Sequence, residues 1–408
     1  MGPLCGARPV TSLLALPLAL AGSAVLAIVI FFTTEIIASF FYRAPAAPAA
    51  GGRGRLAVVI PAHDEEASVG ATVALARAGL DRADLVLVVA DNCSDGTAAA
   101  ARAAGAEIVE RRDPINRGKG FALQKGVDFL RADPPDMVVF LDADCAPQAG
   151  AIDRIARLAQ QRDRPVQALY IANPAPEAGP ASAVSAFAWL VINRVRMTGL
   201  QAMGGFSRLT GSGMAFPWDL IAGCKLASGE IVEDLALTIA LIEDGAAPLL
   251  DAGAVVETGL ARSAAGAATQ RARWELGSLR LAARRAGVLF GKGAAGDLKA
   301  LLLAFDLLTP PLTVLLVLIA AGFVLSFPFA AAGRWVALSL FWSAGLLFAG
   351  AVAAAWFAYG RAVLPPAKLS GLGAYLGSKM RVYGGEGRRS AKGWTRTDRG
   401  PGRLDDAP

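Results

Sequence analysis

Histidine and closely spaced cysteines are nearly missing from this chain of 408 residues. His63 is the single histidine, and none of the four cysteines forms a C-x-x-C pair. This excludes the usual zinc sites of several histidines or cysteines, and it leaves His63 as the only residue for serine–histidine hydrolase chemistry. Cysteines scattered in this way are typical of a reducing compartment rather than of a disulfide framework.

Charged residues are also scarce, at 18% of the chain against 54% hydrophobic residues. Such a composition is typical of an enzyme with a membrane part and not of an ordinary soluble protein. The net charge is +6. In a membrane protein this balance indicates a cytoplasmic surface that faces lipid. We therefore expect membrane lipids, and no nucleic acid, among the partners.

Three apolar segments are long enough to cross a bilayer, which takes about 20 helical residues. They are residues 13–42, residues 299–327, which Pro310-Pro311 interrupts, and residues 335–359. Lys and Arg crowd the segment 43–299 and the tail from Arg361. By the positive-inside rule, the N-terminus lies outside, and both the central region and the C-terminus are cytoplasmic. The sequence thus predicts a multi-pass protein of the plasma (inner) membrane.

Between the first two apolar segments, short apolar runs alternate with Ala-rich helical stretches, which predicts βαβ units and a mainly parallel sheet. The expected strands are 56–60, 85–90, 107–110, 137–141 and 166–171, and the expected helices are 67–79, 95–104, 118–131 and 149–161. The predicted domains are a transmembrane helix (1–43), a Pro/Ala/Gly linker (44–55), a cytoplasmic α/β catalytic domain (56–290) with an interfacial helix near 264–285, two transmembrane helices (291–360) and a basic, partly interfacial tail (361–408).

Acidic residues follow several of these strands. Asp142 and Asp144 come after the strand 137–141, and Asp91 follows the strand 85–90. Ligands of open α/β sheets bind at the carboxyl ends of the strands, and carboxylates there suit a hard divalent cation. The alternative is a set of capped turns and helix starts without a ligand. Taken alone, these residues leave both interpretations open.

Two further stretches are ambiguous by themselves. Glycines flank Lys119 at a predicted helix start, where the backbone can approach an anion, although the spacing is not that of a P-loop. Glu233-Asp234 is either a catalytic acid pair or an acidic first helical turn.

Taken together and in order, these stretches resemble family 2 glycosyltransferases, and in particular the membrane-bound exopolysaccharide-type members with D-x-D, E-D and Q-x-x-R-W motifs. The motifs are Pro61-Ala62-His63-Asp64-Glu65-Glu66, residues 91–97, residues 116–120, Asp142-Ala143-Asp144, residues 211–218, Glu233-Asp234, residues 270–274 and residues 394–399. The resemblance implies a GT-A fold, a Rossmann-like nucleotide-sugar-binding domain inserted between one N-terminal and two C-terminal transmembrane helices. His63-Asp64 and Ala90-Asp91-Asn92 depart from the commoner motifs, so the base stays open, although the family usually takes uracil-linked sugars.

The resemblance also implies a role for each site residue. Asp234 is the catalytic base with Glu233 beside it, where like-charge repulsion would raise the pKa of Asp234. Asp144 and Asp142 hold Mg²⁺ or Mn²⁺. The donor is bound by Pro61, Ala62, Glu65, Asp91, Lys119 and Asp142. The acceptor and the diphosphate are bound by Gly211, Ser212, Gly213, Gln270, Arg273 and Trp274.

The expected activity is inverting transfer of a sugar from a nucleotide sugar, with UDP as the expected nucleotide, to a lipid-linked or saccharide acceptor for a cell-surface polysaccharide. One alternative is a processive synthase, which Q-x-x-R-W favours; three spans are few for a polysaccharide channel, although an oligomer could supply more. Another is a non-catalytic membrane scaffold, which the intact acids disfavour. Glu35 and Asp306 are expected about 11–12 Å from the cytoplasmic helix ends, and they either border an acceptor groove or snorkel to the interface.

Overall fold

The computed structural model describes residues 8–48, 52–173, 179–259 and 264–383. The motif at 394–399 lies outside these residues. The strands are β1 Leu56–Ala62, β2 Leu85–Asp91, β3 Glu107–Arg111, β4 Met137–Phe140, β5 Cys145–Pro147, β6 Val166–Asn173, β7 Met214–Pro217 and β8 Leu249–Gly259. The helices are α1 Arg8–Ser39, α2 Val69–Arg77, α3 Thr97–Ala103, α4 Lys119–Leu130, α5 Ala151–Arg162, α6 Pro180–Leu190, α7 Met197–Gly204, α8 Trp218–Gly223, α9 Glu233–Glu243, α10 Ala264–Ala294, α11 Leu298–Leu308, α12 Leu312–Ala331, α13 Val336–Ala355 and α14 Leu372–Tyr383.

The eight strands form one sheet in the order β3-β2-β1-β4-β7-β6-β8-β5. The first four strands pair in parallel, and β2 and β4 flank β1. The apolar runs of β1, β2 and β4 are buried on both faces, as is usual for parallel strands. Because these three strands run in the same direction, they end at the same edge of the sheet. All five strands and all four helices predicted for this region are present, with boundaries shifted by at most a few residues.

The sheet is mixed, whereas the sequence predicts a mainly parallel one. Strands β5 and β7 pair antiparallel with their neighbours, and only β6 and β8 add a further parallel pair. The strands β5, β7 and β8 escape prediction because two of them have only three or four residues, and Asp251 and Gly253 interrupt the apolar pattern of β8.

Two apolar cores cover the faces of the sheet. One contains residues of α2, α3 and α5, and the other contains residues of α4, α8 and α9. A further core joins α7, α9, α10 and α11. The helix that begins with Glu233 and Asp234 is therefore packed directly against elements that lead to the membrane helices.

Among the residues that the structure describes, three helices are long and apolar enough to cross a membrane, namely Leu14–Ser39, Leu312–Ala331 and Val336–Gly360. The second of these helices therefore begins later than the predicted span 299–327. Pro310-Pro311 ends α11 and begins α12, because proline cannot continue the hydrogen bonding of a preceding helix. Helix α11 belongs instead to the core shared with α7, α9 and α10.

The described part of the predicted linker is held by ion pairs rather than free. The side chain of Arg53 is 2% exposed, and it pairs with Asp84 at 2.5 Å and with Asp153 at 2.6 Å. At the end of α1, the Tyr42 hydroxyl donates to the carbonyl of Leu250 and accepts from the amide of Ala252, both at 3.1 Å. The membrane helix α1 is therefore attached to the β8 strand of the sheet.

Candidate active site

The D-x-D carboxylates lie immediately after β4. The Asp142 amide donates to the Ser212 hydroxyl at 3.0 Å, which connects this turn to the loop 211–213. Ligand atoms of Asp142, Asp144 and Cys145 lie within 4.8 Å of one another, a spacing that could hold a metal ion. Two carboxylates match the oxygen preference of Mg²⁺ or Mn²⁺.

Cys145 was missed by the sequence interpretation, because its only signal is its position next to Asp144. Its side chain is fully buried, and burial followed by the charges of Asp144 and Asp142 raises the pKa of the thiol well above its usual value. A thiol that stays protonated is a poor ligand for a hard cation. The carboxylates, and not the sulfur, are therefore the donors that fit a metal.

Lys119 joins the two halves of the site. Its Nζ lies 2.5 Å from Asp142 Oδ1 and donates to the carbonyl of Gly211 at 2.7 Å. Burial lowers the pKa of Lys119, but the charges of Asp142, Glu233 and Asp234 outweigh burial and raise its pKa above the usual value. The ammonium group therefore stays charged between carboxylates from two segments, the turn after β4 and the start of α9.

The loop Gly211–Gly213 carries the main chain between Lys119 and Asp234. Gly211 has φ +90°, in the region that favours glycine. A Cβ atom at Gly211 would lie 3.3 Å from Lys119 Nζ and 3.6 Å from Asp234 Oδ2. Asp142, Lys119, Gly211 and Asp234, which are remote in the sequence, thus converge at one place.

Glu233 and Asp234 occupy the first turn of α9, and both side chains are only partly exposed. Burial raises the pKa of Asp234, against the opposing charges of Lys119 and Arg208. Burial also raises the pKa of Glu233, to about 7, and the charge of Asp234 adds to this increase. The sequence predicts that Glu233 raises the pKa of Asp234. Burial is the largest cause of both increases, and the predicted repulsion is mutual between the two carboxylates.

Asp91 ends β2 at the same edge of the sheet. Its carboxylate accepts from Arg111 at 2.6 Å and from the Asn92 side chain at 3.0 Å. With β1 between β2 and β4, Asp91 lies two strand spacings, about 10 Å, from the start of the D-x-D turn. Arg111 was missed by the sequence interpretation, and its pairing with Asp91 holds that carboxylate in place.

The remaining donor residues lie on and after β1. Pro61 and Ala62 are the last residues of this strand. The Glu65 carboxylate accepts from the Ser68 hydroxyl at 2.9 Å, and the Glu65 amide donates to the Thr97 hydroxyl at 2.8 Å. Glu65 is thus fixed between the starts of α2 and α3.

Trp274 connects to the D-x-D turn through other aromatic side chains. Its ring centre lies 5.3 Å from that of Trp189, which lies 5.5 Å from that of Tyr170. The indole of Trp189 donates to the carbonyl of Tyr170 at 3.1 Å, and Tyr170 Oη lies 3.7 Å from Cys145 Sγ. Trp189 and Tyr170 were not predicted, because each is a single aromatic residue in an apolar segment.

The other residues predicted for the acceptor lie in α10. Arg273 precedes Trp274 in this helix, and the side chain of Gln270 lies outside the described residues. Helix α10 is part of the core with α7, α9 and α11. It therefore links the aromatic side chains to the helix that carries Asp234.

The chain is similar to known proteins in sequence and in fold. Residues 53–277, more than half of the chain, match the family described as "Glycosyltransferase like family 2". No curated protein matches the chain.

Among solved structures, the fold is similar to that of a mannosyltransferase from Pyrobaculum calidifontis in complex with GDP-Man and Mn²⁺. The TM-score is 0.54, with 17% identity over 90% of this chain and 97% of that one. A weaker likeness is to glucosyl-3-phosphoglycerate synthase from Mycobacterium tuberculosis in complex with Mn²⁺, UDP and phosphoglyceric acid. Its TM-score is 0.34, with 22% identity over 50% of this chain and 69% of that one. The predicted fold class, a GT-A domain with flanking membrane helices, is confirmed.

Proposed function

We propose, from the premise that this chain belongs to glycosyltransferase-like family 2, that it is a membrane-bound inverting glycosyltransferase. It moves a sugar from a nucleotide sugar to a lipid-linked saccharide or lipid acceptor in the synthesis of a cell-surface polysaccharide. The observation that carries this proposal is the contact of Lys119 with Asp142 and Gly211, which brings the D-x-D turn to the carboxylate of Asp234. This joins a donor edge and a base in one site.

The donor is proposed to bind along the edge formed by β2, β1 and β4. Asp91 and Glu65, with Pro61 and Ala62, contact the nucleoside, and Arg111 orients the carboxylate of Asp91. UDP is the proposed nucleotide on the strength of the motif resemblance. The Pyrobaculum enzyme was solved with GDP-Man, but at 17% identity this likeness does not choose the base.

Asp142 and Asp144 would hold Mg²⁺ or Mn²⁺, which acts as a Lewis acid on the departing diphosphate. Lys119 adds a fixed positive charge beside Asp142. An ammonium group held by carboxylates in this way can stabilise negative charge that develops on the leaving phosphate.

Asp234 is proposed to accept the proton of the attacking hydroxyl, because a sugar hydroxyl needs a carboxylate within hydrogen-bond reach. The positive charge of Lys119 acts on Asp234 and also on Glu233, whose pKa is about 7. A base opposite the leaving group implies direct displacement with inversion, so an α-linked donor gives a β-linked product.

The acceptor is proposed to lie between the loop Gly211–Gly213 and helix α10. Trp274 offers a ring face for stacking on a sugar, and Arg273 and Gln270 lie on the same helix, where they can contact the diphosphate. The three candidate spans support a membrane location. The expected topology keeps the catalytic domain and the C-terminus in the cytoplasm and the N-terminus outside.

The test is Asp234→Asn in the full-length protein, assayed on membranes for release of nucleoside diphosphate and for transfer from UDP-sugars. Transfer should be lost, while donor binding persists. Asp244→Asn, at the exposed end of the same helix, is the matched control and should keep full activity. Full transfer by Asp234→Asn would refute the proposed base. A wild-type protein without metal-dependent donor turnover would favour a non-catalytic scaffold.

A second candidate is a processive polysaccharide synthase, which Gln270, Arg273 and Trp274 favour because the Q-x-x-R-W pattern is commonest in processive members. The three candidate spans found among the described residues are few for a channel in one protomer, so this activity would need an oligomer. Product length on a denaturing gel distinguishes the two functions. A single added sugar supports the first proposal, and a ladder of long products supports the second.

A further inference from the structure

Four charged side chains are enclosed between the membrane helix α1 and the active-site domain. Arg196 donates to Glu35 at 2.7 Å and to Asp306 at 2.7 Å, and Arg208 Nε lies 3.1 Å from the second oxygen of Asp306. Glu35 is 0% exposed and Asp306 is 2% exposed. Two guanidinium groups and two carboxyl groups thus share one cluster, in which each acid has a cationic partner.

This cluster answers the question that the sequence leaves open about Glu35 and Asp306. The two acids pair with the same guanidinium, that of Arg196. Because both carboxylates are enclosed, neither borders an open groove and neither reaches an interface. The remaining role for Glu35 and Asp306 is to hold the rest of the protein against helix α1.

The backbone is shaped to bring these charges together. Residues Val191–Arg196 form a π-helical turn between α6 and α7, and such turns are frequent at functional sites. In α7, a Cβ atom at Gly199 would lie 2.0 Å from the carbonyl oxygen of Glu35. The glycine thus permits direct contact between α7 and α1, one turn after Arg196.

The residue after Arg208 is bonded to the helix that carries Asp234: the Leu209 amide donates to the Thr238 hydroxyl at 2.9 Å, and that hydroxyl donates to the carbonyl of Asp234 at 2.8 Å. Arg208 Nη2 is buried and has no hydrogen-bond partner among the described residues. Its charge lowers the pKa of Asp234, opposing the effect of burial. Three residues later, Gly211 contacts Lys119 and approaches Asp234. The other charged groups that act on Asp234 are Lys119 of α4 and Asp142 after β4, with Glu233 adjacent in α9.

We infer that Arg208 is a positioning residue for Asp234, and that the membrane helix α1 holds Arg208 in place through Glu35, Arg196 and Asp306. The inference rests on the proposed role of Asp234 as the base. It makes the first membrane helix a part of the catalytic apparatus, in addition to an anchor. Replacement of the Glu35 carboxyl group in α1 should then change catalysis at the sheet edge.

The experiment measures kcat/KM for transfer against pH in the full-length protein in lipid nanodiscs. Without the charge of Arg208, Asp234 should ionise at higher pH, so Arg208→Gln should move the acidic limb upward by about one pH unit, a tenfold loss of kcat/KM on that limb. Arg208→Lys should restore most of the profile. Glu35→Gln should cause a smaller shift in the same direction. The double variant Glu35→Gln/Arg208→Gln should be no worse than Arg208→Gln alone, because both changes act through one group.

Arg154→Gln is the matched control, because Arg154 pairs with the buried Asp251 at 2.6 Å away from the site. It should lower the Tm without moving the limb. If Arg208→Gln does not fold, Gly199→Ala tests the same connection without removing a charge, and it should shift the limb by separating α7 from α1. The inference fails if the acidic limb of the kcat/KM profile does not move in Arg208→Gln, or if it moves in neither Glu35→Gln nor Gly199→Ala. Both results count only when Asp234→Asn is inactive. Full activity of Asp234→Asn would instead refute the proposed function itself.

Discussion

The ionisation of Glu233 should be visible as a pH-dependent cost in stability. Its pKa rises from 4.5 to about 7 on folding, mainly through burial and with a contribution from Asp234. Below pH 4.5 both the folded and the unfolded chain carry the proton, so the group has no effect. Between pH 4.5 and pH 7 only the unfolded chain releases it, so the stability falls as the pH rises, and the full cost is present above pH 7.

The magnitude follows from the difference between these two values. At about 1.4 kcal/mol for each unit, ionised Glu233 costs at most about 3 kcal/mol, and less to the extent that water screens a partly exposed side chain. Glu233→Gln removes the ionisation. For a domain of this size, the variant should exceed the wild type in Tm by up to about 6–12 °C at pH 8, and by little at pH 5.

The assay is thermal unfolding of the full-length protein in nanodiscs at pH 5 and pH 8, without donor or metal. Glu107→Gln is the control, because Glu107 lies exposed on β3. It should change the Tm equally at both pH values. A stability difference for Glu233→Gln that is the same at pH 5 and pH 8 would refute the reasoning.

Three other changes test the proposed site. Lys119→Met should lower kcat/KM for transfer at least about tenfold, because it removes the cation that Asp142 and Asp234 share; unchanged kinetics would contradict this role. A chelator should stop transfer, Mn²⁺ or Mg²⁺ should restore it, and Asp144→Asn should require about tenfold or more metal for recovery; equal metal requirements would exclude Asp144 as a ligand. Trp189→Ala should raise the acceptor KM and leave donor hydrolysis intact, whereas Trp189→Phe should retain most activity, because Trp189 supports the ring of Trp274; an unaltered acceptor KM in Trp189→Ala would count against that support.

The parallel half of the sheet could be predicted because its strands are continuous apolar runs. Val86 to Val89 are buried on both faces, and the polar residues after them mark the strand end. The other half of the sheet could be predicted only in part, because β6 was expected and β5, β7 and β8 were not. Strand β5 has three residues, including a proline, and is defined by its pairing with β8 across more than 100 positions.

The acids proposed for the site could be picked out from the sequence, because each belongs to a short polar motif. Asp142, Asp144 and Asp234 are polar residues at element ends, and sequence order alone indicates which ends they follow. Their electrostatic relations were not predictable, because those depend on partners from other segments. Arg196 is 161 positions from Glu35, and only the folded chain shows that they pair. The burial of Glu233 and Asp234 and the opposing charge of Lys119 likewise come from other segments of the chain.

The attachment of Tyr42 and Arg53 to the sheet has a mechanical consequence. Tyr42 is bound to β8, and Arg53 is bound to Asp84 and Asp153, so rotation of the sheet about the end of α1 would break these contacts. The sheet edge with the proposed site is therefore held at a set position relative to α1. Under the proposed function, an acceptor would be selected by reach as well as by chemistry, because its hydroxyl must extend from the membrane helix to that edge.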